Sequence, residues 1–409
     1  MTADAEVADQ IDLTDMRPYL AGRQHELFRE LRAHDPLHWN DEHDGGRGFW
    51  SLTRYADVRA AALDHVRLSS AEGTQLAERR VEGKLHSLHN MDEPRHGRLR
   101  RVGIGYLRAV KIKEWQAAID EAITRIVDDA VAADEQAAGA GIEFVHAVSA
   151  RLPIEVLARI LGVPSQDCPQ LAEWSNQAHI QDPEYVTDEA TRETARENLF
   201  GYFRDLSDAR RAEPRDDLVS VLVHGRIDGE PLTWEELAAY YIVLMAAGNE
   251  TTRHLISGAV LGLNEFPGER QRLRADPGLL TAGVEEMMRW VTPVAFMRRT
   301  ALERIVLHGR VIEPGQKVVL WFGSANRDEG MFADPDRFVL DRAPNEHLTF
   351  GWGVHFCMGA HLARAEARSL FAEILRRGLD LRLVREPDRL EASMFNGVKR
   401  MQVALRPAT

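Results

Sequence analysis

Phe350-Gly351-Trp352-Gly353-Val354-His355-Phe356-Cys357-Met358-Gly359 decides the reading of this chain. One cysteine stands there between glycines, with His355 two positions before it and a helical pattern directly after it. The other cysteine, Cys168, lies far upstream in a polar stretch. A structural zinc site needs several Cys or His ligands at short spacings, and none accompany Cys357. A glycine-rich turn offers backbone N–H groups to a thiolate, and the following helix presents its positive end, so the sulfur would stay ionised. Those are the needs of a cysteine that ligates iron.

Upstream, the capping box Thr233-Trp234-Glu235-Glu236 opens a helix expected to run to about Glu265, roughly 48 Å at about 1.5 Å per residue. Its middle is apolar on nearly every face, which marks a helix through the core. Within it lies Ala247-Gly248-Asn249-Glu250-Thr251-Thr252. An ionised carboxylate in such a place is costly unless compensated. Gly248 beside Asn249 also weakens the helix locally, as distortions at functional sites often do. Glu286 and Arg289 share one face of a helix over 280–290; on a surface such a pair contributes little. His96 and Arg100, four apart on one helix face, follow Met91-Asp92-Glu93-Pro94.

The 409 residues are 44% hydrophobic and 28% charged, proportions of a globular protein with a large core. There is no Ser/Gly-rich or Pro-rich linker and no fixed-period repeat, so residues 1–409 read as a single large domain. Strands are expected near 36–39 and 48–53, then at 304–307, 311–312 and 318–320. The β-rich portions are 36–53, 304–320 and 381–405, the last with a hairpin signal at Asn396-Gly397. Helices are expected at 25–34, 56–63, 98–109, 113–132, 144–161, 167–178, 188–212 and 358–377, the last stopped by Gly378. The fold class is mainly α with minor β-sheet. The N-terminus is acidic and polar, and the apolar stretch 238–248 is too short to span a bilayer, so a cytoplasmic protein with no membrane contact is expected. Two distant cysteines fit a reducing compartment, and the net charge of −13 argues against nucleic-acid binding.

The run from Phe350 to Gly359 closely resembles the haem-ligand loop of the cytochromes P450, Phe-x-x-Gly-x-His/Arg-x-Cys-x-Gly. The resemblance extends in family order along nearly the whole chain and implies the P450 fold and a haem b cofactor. By it, Cys357 would be the axial iron ligand and Phe350 the ring beside the sulfur. Gly353 would let the backbone turn under the haem, and Gly359 would permit close approach to the porphyrin. Propionate partners would be His96, Arg100, Arg299 and His355. Ala247-Gly248-Asn249-Glu250-Thr251 resembles the oxygen-activation motif: Thr251 would hydrogen-bond dioxygen at the iron, and Glu250 would admit protons. Glu286 and Arg289 resemble the Glu-x-x-Arg pair that locks the haem-binding core, its third partner being Arg337 or Arg342.

The same resemblance implies a monooxygenase that inserts one oxygen atom of O2 into an apolar small molecule of sterol, terpene, lipid or secondary-metabolite type. Its distal pocket would be lined by Val294, Phe296, Met297, Met394 and Phe395, with segments 71–90, 171–185 and 245–247. Arg79, Arg80 and His86 are candidate carboxylate anchors. Arg100, Arg101, Arg108, Lys111, Lys113, Arg364 and Arg368 would form a cationic face on the thiolate side, suited to an acidic electron donor. No flavin or iron–sulfur segment lies within the 409 residues, so a separate ferredoxin and its reductase are expected. Two alternatives stand beside this reading: a non-hydroxylating or peroxide-driven oxidation at the same haem, and a haem sensor or carrier without turnover. Retention of Glu250 and Thr251 favours oxygen-driven chemistry.

Overall fold

The computed structural model describes residues 10–43, 45–76, 87–138, 140–179, 184 and 188–407. Its axis is the core helix Trp234–Glu265. The capping box forms as expected, Thr233 Oγ1 accepting from the Glu236 N–H and Glu236 Oε2 from the Thr233 N–H. Burial on all faces, from Leu237 and Tyr240 to Val260 and Leu263, follows from the absence of a polar stripe along this helix. Arg151–Leu161, Leu280–Val291 and Ala360–Arg376 pack around it. Tyr240 ties it to the helix Arg95–Ile104: its hydroxyl donates to Leu99 O at 2.6 Å and accepts from the Gly103 N–H at 3.0 Å.

A five-stranded sheet flanks the helical body, in the order Leu37–Asn40, Phe49–Leu52, Lys317–Leu320, Met297–Ala301, Leu68–Ser69. Trp321, at the end of one of its strands, packs its ring between Phe28 and Phe296 at 4.9 and 4.7 Å. A second sheet joins Leu379–Leu383, Gln402–Pro407 and the two-residue strand Ile142–Glu143.

Several elements depart from the sequence-based expectation. The helix expected over 98–109 starts at Arg95 and gives way to a 3-10 turn at Gly105–Leu107. Residues 144–161 divide into a π-turn at Val145–Ser149 and the helix Arg151–Leu161. The strand Met297–Ala301 was missed, because two arginines interrupt its apolar pattern. Asn396-Gly397 does not form the hairpin tip. Leu390 N–H donates to Gly397 O, so the chain reverses between these residues and Gly397 already lies on the returning side. Asn396 instead uses its side chain to donate to Val291 O at 2.6 Å. Gly397 lies so close to the imidazole of His254 that a Cβ would stand 2.6 Å from a ring carbon. Tertiary approach, not turn geometry, requires that glycine.

Among the described residues, no helix is long and apolar enough to cross a membrane.

Candidate haem and oxygen site

Cys357 sits in a loop built from local hydrogen bonds. Its N–H donates to Phe350 O at 2.9 Å, Phe356 N–H donates to Gly353 O at 3.1 Å, and Gly351 N–H donates to Leu348 O. Gly351 and Gly353 hold φ of +68° and +74°. A Cβ on Gly353 would meet the Ala62 carbonyl at 2.7 Å, so the loop closes against the end of helix Tyr55–Leu63 only with glycine there. Cys357 lies deep within the protein envelope, yet its surface is exposed. The two statements agree for a side chain that faces an internal hollow. Burial raises its thiol pKa, while the Gly359 N–H and the charges of Arg100 and Arg364 lower it.

The core helix opens in the same way. Ala247 is exposed, and Ala246, Gly248 and Thr251 are half-buried, while Asn249, Glu250 and Thr252 are buried. A strip of the core helix therefore borders open space. Thr251 Oγ1 donates to Ala247 O at 2.5 Å, leaving its lone pairs available to accept. Glu250 is 3% exposed and forms an ion pair with Arg253 Nη2 at 2.6 Å, with His254 Nε2 at 3.6 Å. Burial raises its carboxyl pKa against the opposing pull of Arg253. Among the described residues Glu250 Oε1, Asn249 Oδ1 and both His254 ring nitrogens have no hydrogen-bond partner, the condition in which buried groups recruit water.

Four basic groups gather near the cysteine loop. The His96 and His355 rings lie 4.2 Å apart, His96 also meets Glu93 Oε1 at 3.1 Å, and Ser70 Oγ stands 3.2 Å from His355 Nε2. Arg100 Nη2 donates to Phe356 O at 2.5 Å, and Arg299 Nη1 to Arg298 O at 2.8 Å. Burial, with the charges of Arg299 and His96, pushes His355 down to about 2, and burial lowers Arg299 to about 10. Neither Arg100 nor Arg299 has a carboxylate within ion-pair distance among the described residues. A buried Arg299 and a half-buried Arg100, both lacking such an anion, fit a ligand that brings its own carboxylates. Haem b brings two. The single exposed sulfur, the hollow beside Ala247 and Thr251, and the anion-deficient cations together fit that group. Among the described residues there is no cluster of three or more His, Cys, Asp or Glu to hold a separate metal ion.

The Glu286–Arg289 pair is wholly buried, with contacts of 2.7 and 2.8 Å. Arg289 also donates to the carbonyls of Asn326, Pro335 and Arg337. The open choice of third partner resolves to Arg342, whose Nε lies 3.2 and 3.1 Å from the two Glu286 oxygens. Arg337 contributes its backbone carbonyl, to both Arg289 and Arg342.

The expected pocket residues divide. Val294 and Phe395 form a β-bridge and, like Met297, are half-buried. Phe296 is a correction: it is 1% exposed and packs on Trp321, so it belongs to the core. Met394 is nearly as buried, at 8%. Arg79, Arg80 and His86 fall outside the described residues. Of the seven expected proximal cations, Arg101, Arg108, Lys113 and Arg368 are exposed. Lys111 is bound to Glu114 and Asp216, Arg364 to Glu285, and the half-buried Arg100 to the Phe356 carbonyl.

Glu366 was missed by the sequence reading. It is 2% exposed on the helix after Cys357, hydrogen-bonds Thr252 on the core helix, and is pushed up to about 8 by burial. Its signal was available: on the apolar face of that helix it interrupts Leu362, Ala365, Ala367 and Leu370.

A family profile described as cytochrome P450 matches residues 188–396. The methyl-branched lipid omega-hydroxylase of Mycobacterium tuberculosis is 37% identical over 365 residues, covering 88% of this chain and 84% of that protein. The steroid C26-monooxygenase of the same organism is 34% identical over 412 residues, covering 96% and 92%. The solved structure of a Mycobacterium marinum cytochrome P450 in complex with pseudoionone superposes with a TM-score of 0.88 at 32% identity, covering 97% of this chain and 98% of that one.

Proposed function

This chain belongs to the cytochrome P450 family and is a haem-thiolate monooxygenase, and from that premise we propose that it oxygenates a lipid- or steroid-like substrate with electrons from a separate ferredoxin and reductase in the cytoplasm. When bound, the haem supplies the oxygen-activating chemistry. Cys357 would hold the iron. Arg299, Arg100, His96 and His355 would receive the propionates, and Thr251 and Glu250 would manage protons beside the hollow.

The observation that carries this reading is the pairing of one accessible sulfur with an opened strip of the core helix at Ala247 and Thr251. The apolar character of Val294, Met297 and Phe395 supports a lipophilic substrate. So do the names of the two relatives, one acting on methyl-branched lipids and the other on steroids. Exposed Arg101, Arg108, Lys113 and Arg368, with Val110 and Phe356 also exposed, support docking of an acidic donor. Two free cysteines fit a reducing compartment.

Thr251 holds its proton on the Ala247 carbonyl and leaves its oxygen open as an acceptor. Glu250, raised towards its neutral form by burial, is placed to serve as a proton source through internal water. A spectral-shift screen of the purified protein against methyl-branched fatty acids, steroids and terpenoid ketones tests the substrate class. A shift of the Soret band on adding a steroid or branched lipid supports it; response to small polar aromatics alone sinks it.

A further inference from the structure

Arg364 was expected on the cationic thiolate-side face, and the structure gives it a different neighbourhood. Its guanidinium grips Glu285 with two hydrogen bonds, Nε to Oε1 at 2.7 Å and Nη2 to Oε2 at 2.8 Å. The same group lies 4.4 Å over the centre of the Phe350 ring. His347 completes the cluster, its Nε2 3.2 Å from Glu285 Oε2 and its ring 5.9 Å from Phe350. Phe350 accepts the Cys357 N–H through its carbonyl. Glu285, Arg364 and Phe350 thus form a continuous chain of contacts to the sulfur-bearing residue.

An ion pair with both side chains about one-third exposed contributes little to stability. A bidentate, ring-stacked arginine is nevertheless held in one place, which is what a fixed charge requires. Stacked on the residue whose carbonyl accepts the Cys357 N–H, Arg364 brings its charge near the sulfur, and with Arg100 it opposes the rise that burial gives the thiol pKa. Burial alone would raise the Glu285 carboxyl, but hydrogen bonds from Arg364 and His347 bring it down to about 2. Glu285 is therefore a permanent negative charge set against Arg364.

We propose that Glu285 and Arg364 are positioning residues that set the reduction potential of the iron held by Cys357, Arg364 bracing Phe350 and setting positive charge against the sulfur while Glu285 limits how much of it the sulfur feels. The inference rests on Cys357 ligating haem iron. In the step concerned, one electron leaves a one-electron donor, which is oxidised, and reduces the ferric centre to ferrous. No bond of Glu285 or Arg364 breaks. The added negative charge is stabilised by a nearby cation and opposed by a nearby anion.

The test is a potentiometric titration of the substrate-free, haem-loaded protein with dithionite and mediators. Wild type is compared with Arg364→Gln, Glu285→Gln, Arg364→Lys and the double Gln variant. Arg364→Gln should move the potential negative and Glu285→Gln positive, with the double variant returning towards wild type. Arg364→Lys, which keeps the charge, should shift less than Arg364→Gln. Loss of packing alone predicts no opposition of sign. Shifts of the same sign, or unchanged potentials in both single variants, overturn the proposal. Should Arg364→Gln take up no haem, Glu285→Gln alone decides: a positive shift supports the proposal, and a zero or negative one overturns it. The carbon monoxide difference spectrum of the wild type is recorded first. Absence of the thiolate band there would defeat the ligation reading itself, separately from this one.

Discussion

Replacing Glu366 with Gln should remove a pH-dependent term from the stability of the fold. The carboxyl is 2% exposed, its hydrogen bond to Thr252 only partly offsets desolvation, and its pKa stands at about 8 against an ordinary 4.5. Between those values the folded protein keeps a proton that the unfolded chain releases. An acid raised in this way gives stability that is fully present below the unfolded pKa and is lost as pH rises through the folded one. Each unit in that window corresponds to about 1.4 kcal/mol, so the whole span is on the order of 5 kcal/mol. Gln keeps the shape and an oxygen for Thr252 but cannot ionise. The unfolding midpoint of the wild type should therefore fall more steeply between pH 5 and pH 8 than that of Glu366→Gln. Infrared difference spectra, wild type minus variant, should show one protonated-carboxyl band at pH 6 that is half lost near pH 8. Parallel stability profiles, or no such band at pH 6, would refute the argument that this carboxyl is buried and neutral.

Cys357→Ala should abolish the red-shifted carbon monoxide band of the reduced protein; a retained band would remove the cysteine from the iron. Thr251→Ala should keep haem and substrate-induced shifts but send reducing equivalents to peroxide, measured as peroxide formed per NAD(P)H consumed, and unchanged coupling would count against its role. Glu286→Gln strips the charge partner from Arg289 and Arg342 and should cost about 3–5 kcal/mol of stability, read by denaturant midpoint. Replacing the Arg337 side chain with Ala should cost far less, because its carbonyl makes the contacts.

The sequence carried what depends on residue type at fixed spacing. The cysteine loop, the capped core helix and the Glu286–Arg289 pair are such features, whereas the basic set His96, Arg100, Arg299 and His355 follows from the family resemblance. What it did not carry depends on third bodies. The choice between Arg337 and Arg342 turns on which side chain reaches Glu286 past two bends of the chain. Phe296 is expected in the pocket from the family resemblance, but Trp321, brought close by sheet pairing, claims its ring. Asn396-Gly397 was read as a turn from local conformational preference, yet contact with His254 on the core helix explains the glycine. Glu366 was overlooked because periodicity marks its face as buried without saying that a lone carboxyl there meets only a threonine.

The balance of buried charge explains why fold and cofactor belong together. Glu286 has Arg289 and Arg342, Asp217 has Arg210, and Lys317 has Glu42. Among the described residues Arg299 has a backbone carbonyl and no carboxylate, the half-buried Arg100 likewise, and burial with neighbouring positive charge brings the His355 pKa down to about 2. A chain selected for stability alone would exchange such cations for apolar side chains, since buried charges without partners oppose folding. Two carboxylates entering beside them would remove that cost, and cofactor binding and folding would then draw on the same electrostatic deficit. Thermal unfolding should accordingly shift upward on haem loading, and Arg299→Leu should narrow the gap by stabilising the haem-free chain while weakening haem retention. A variant that lowered both forms equally would show that Arg299 serves packing instead.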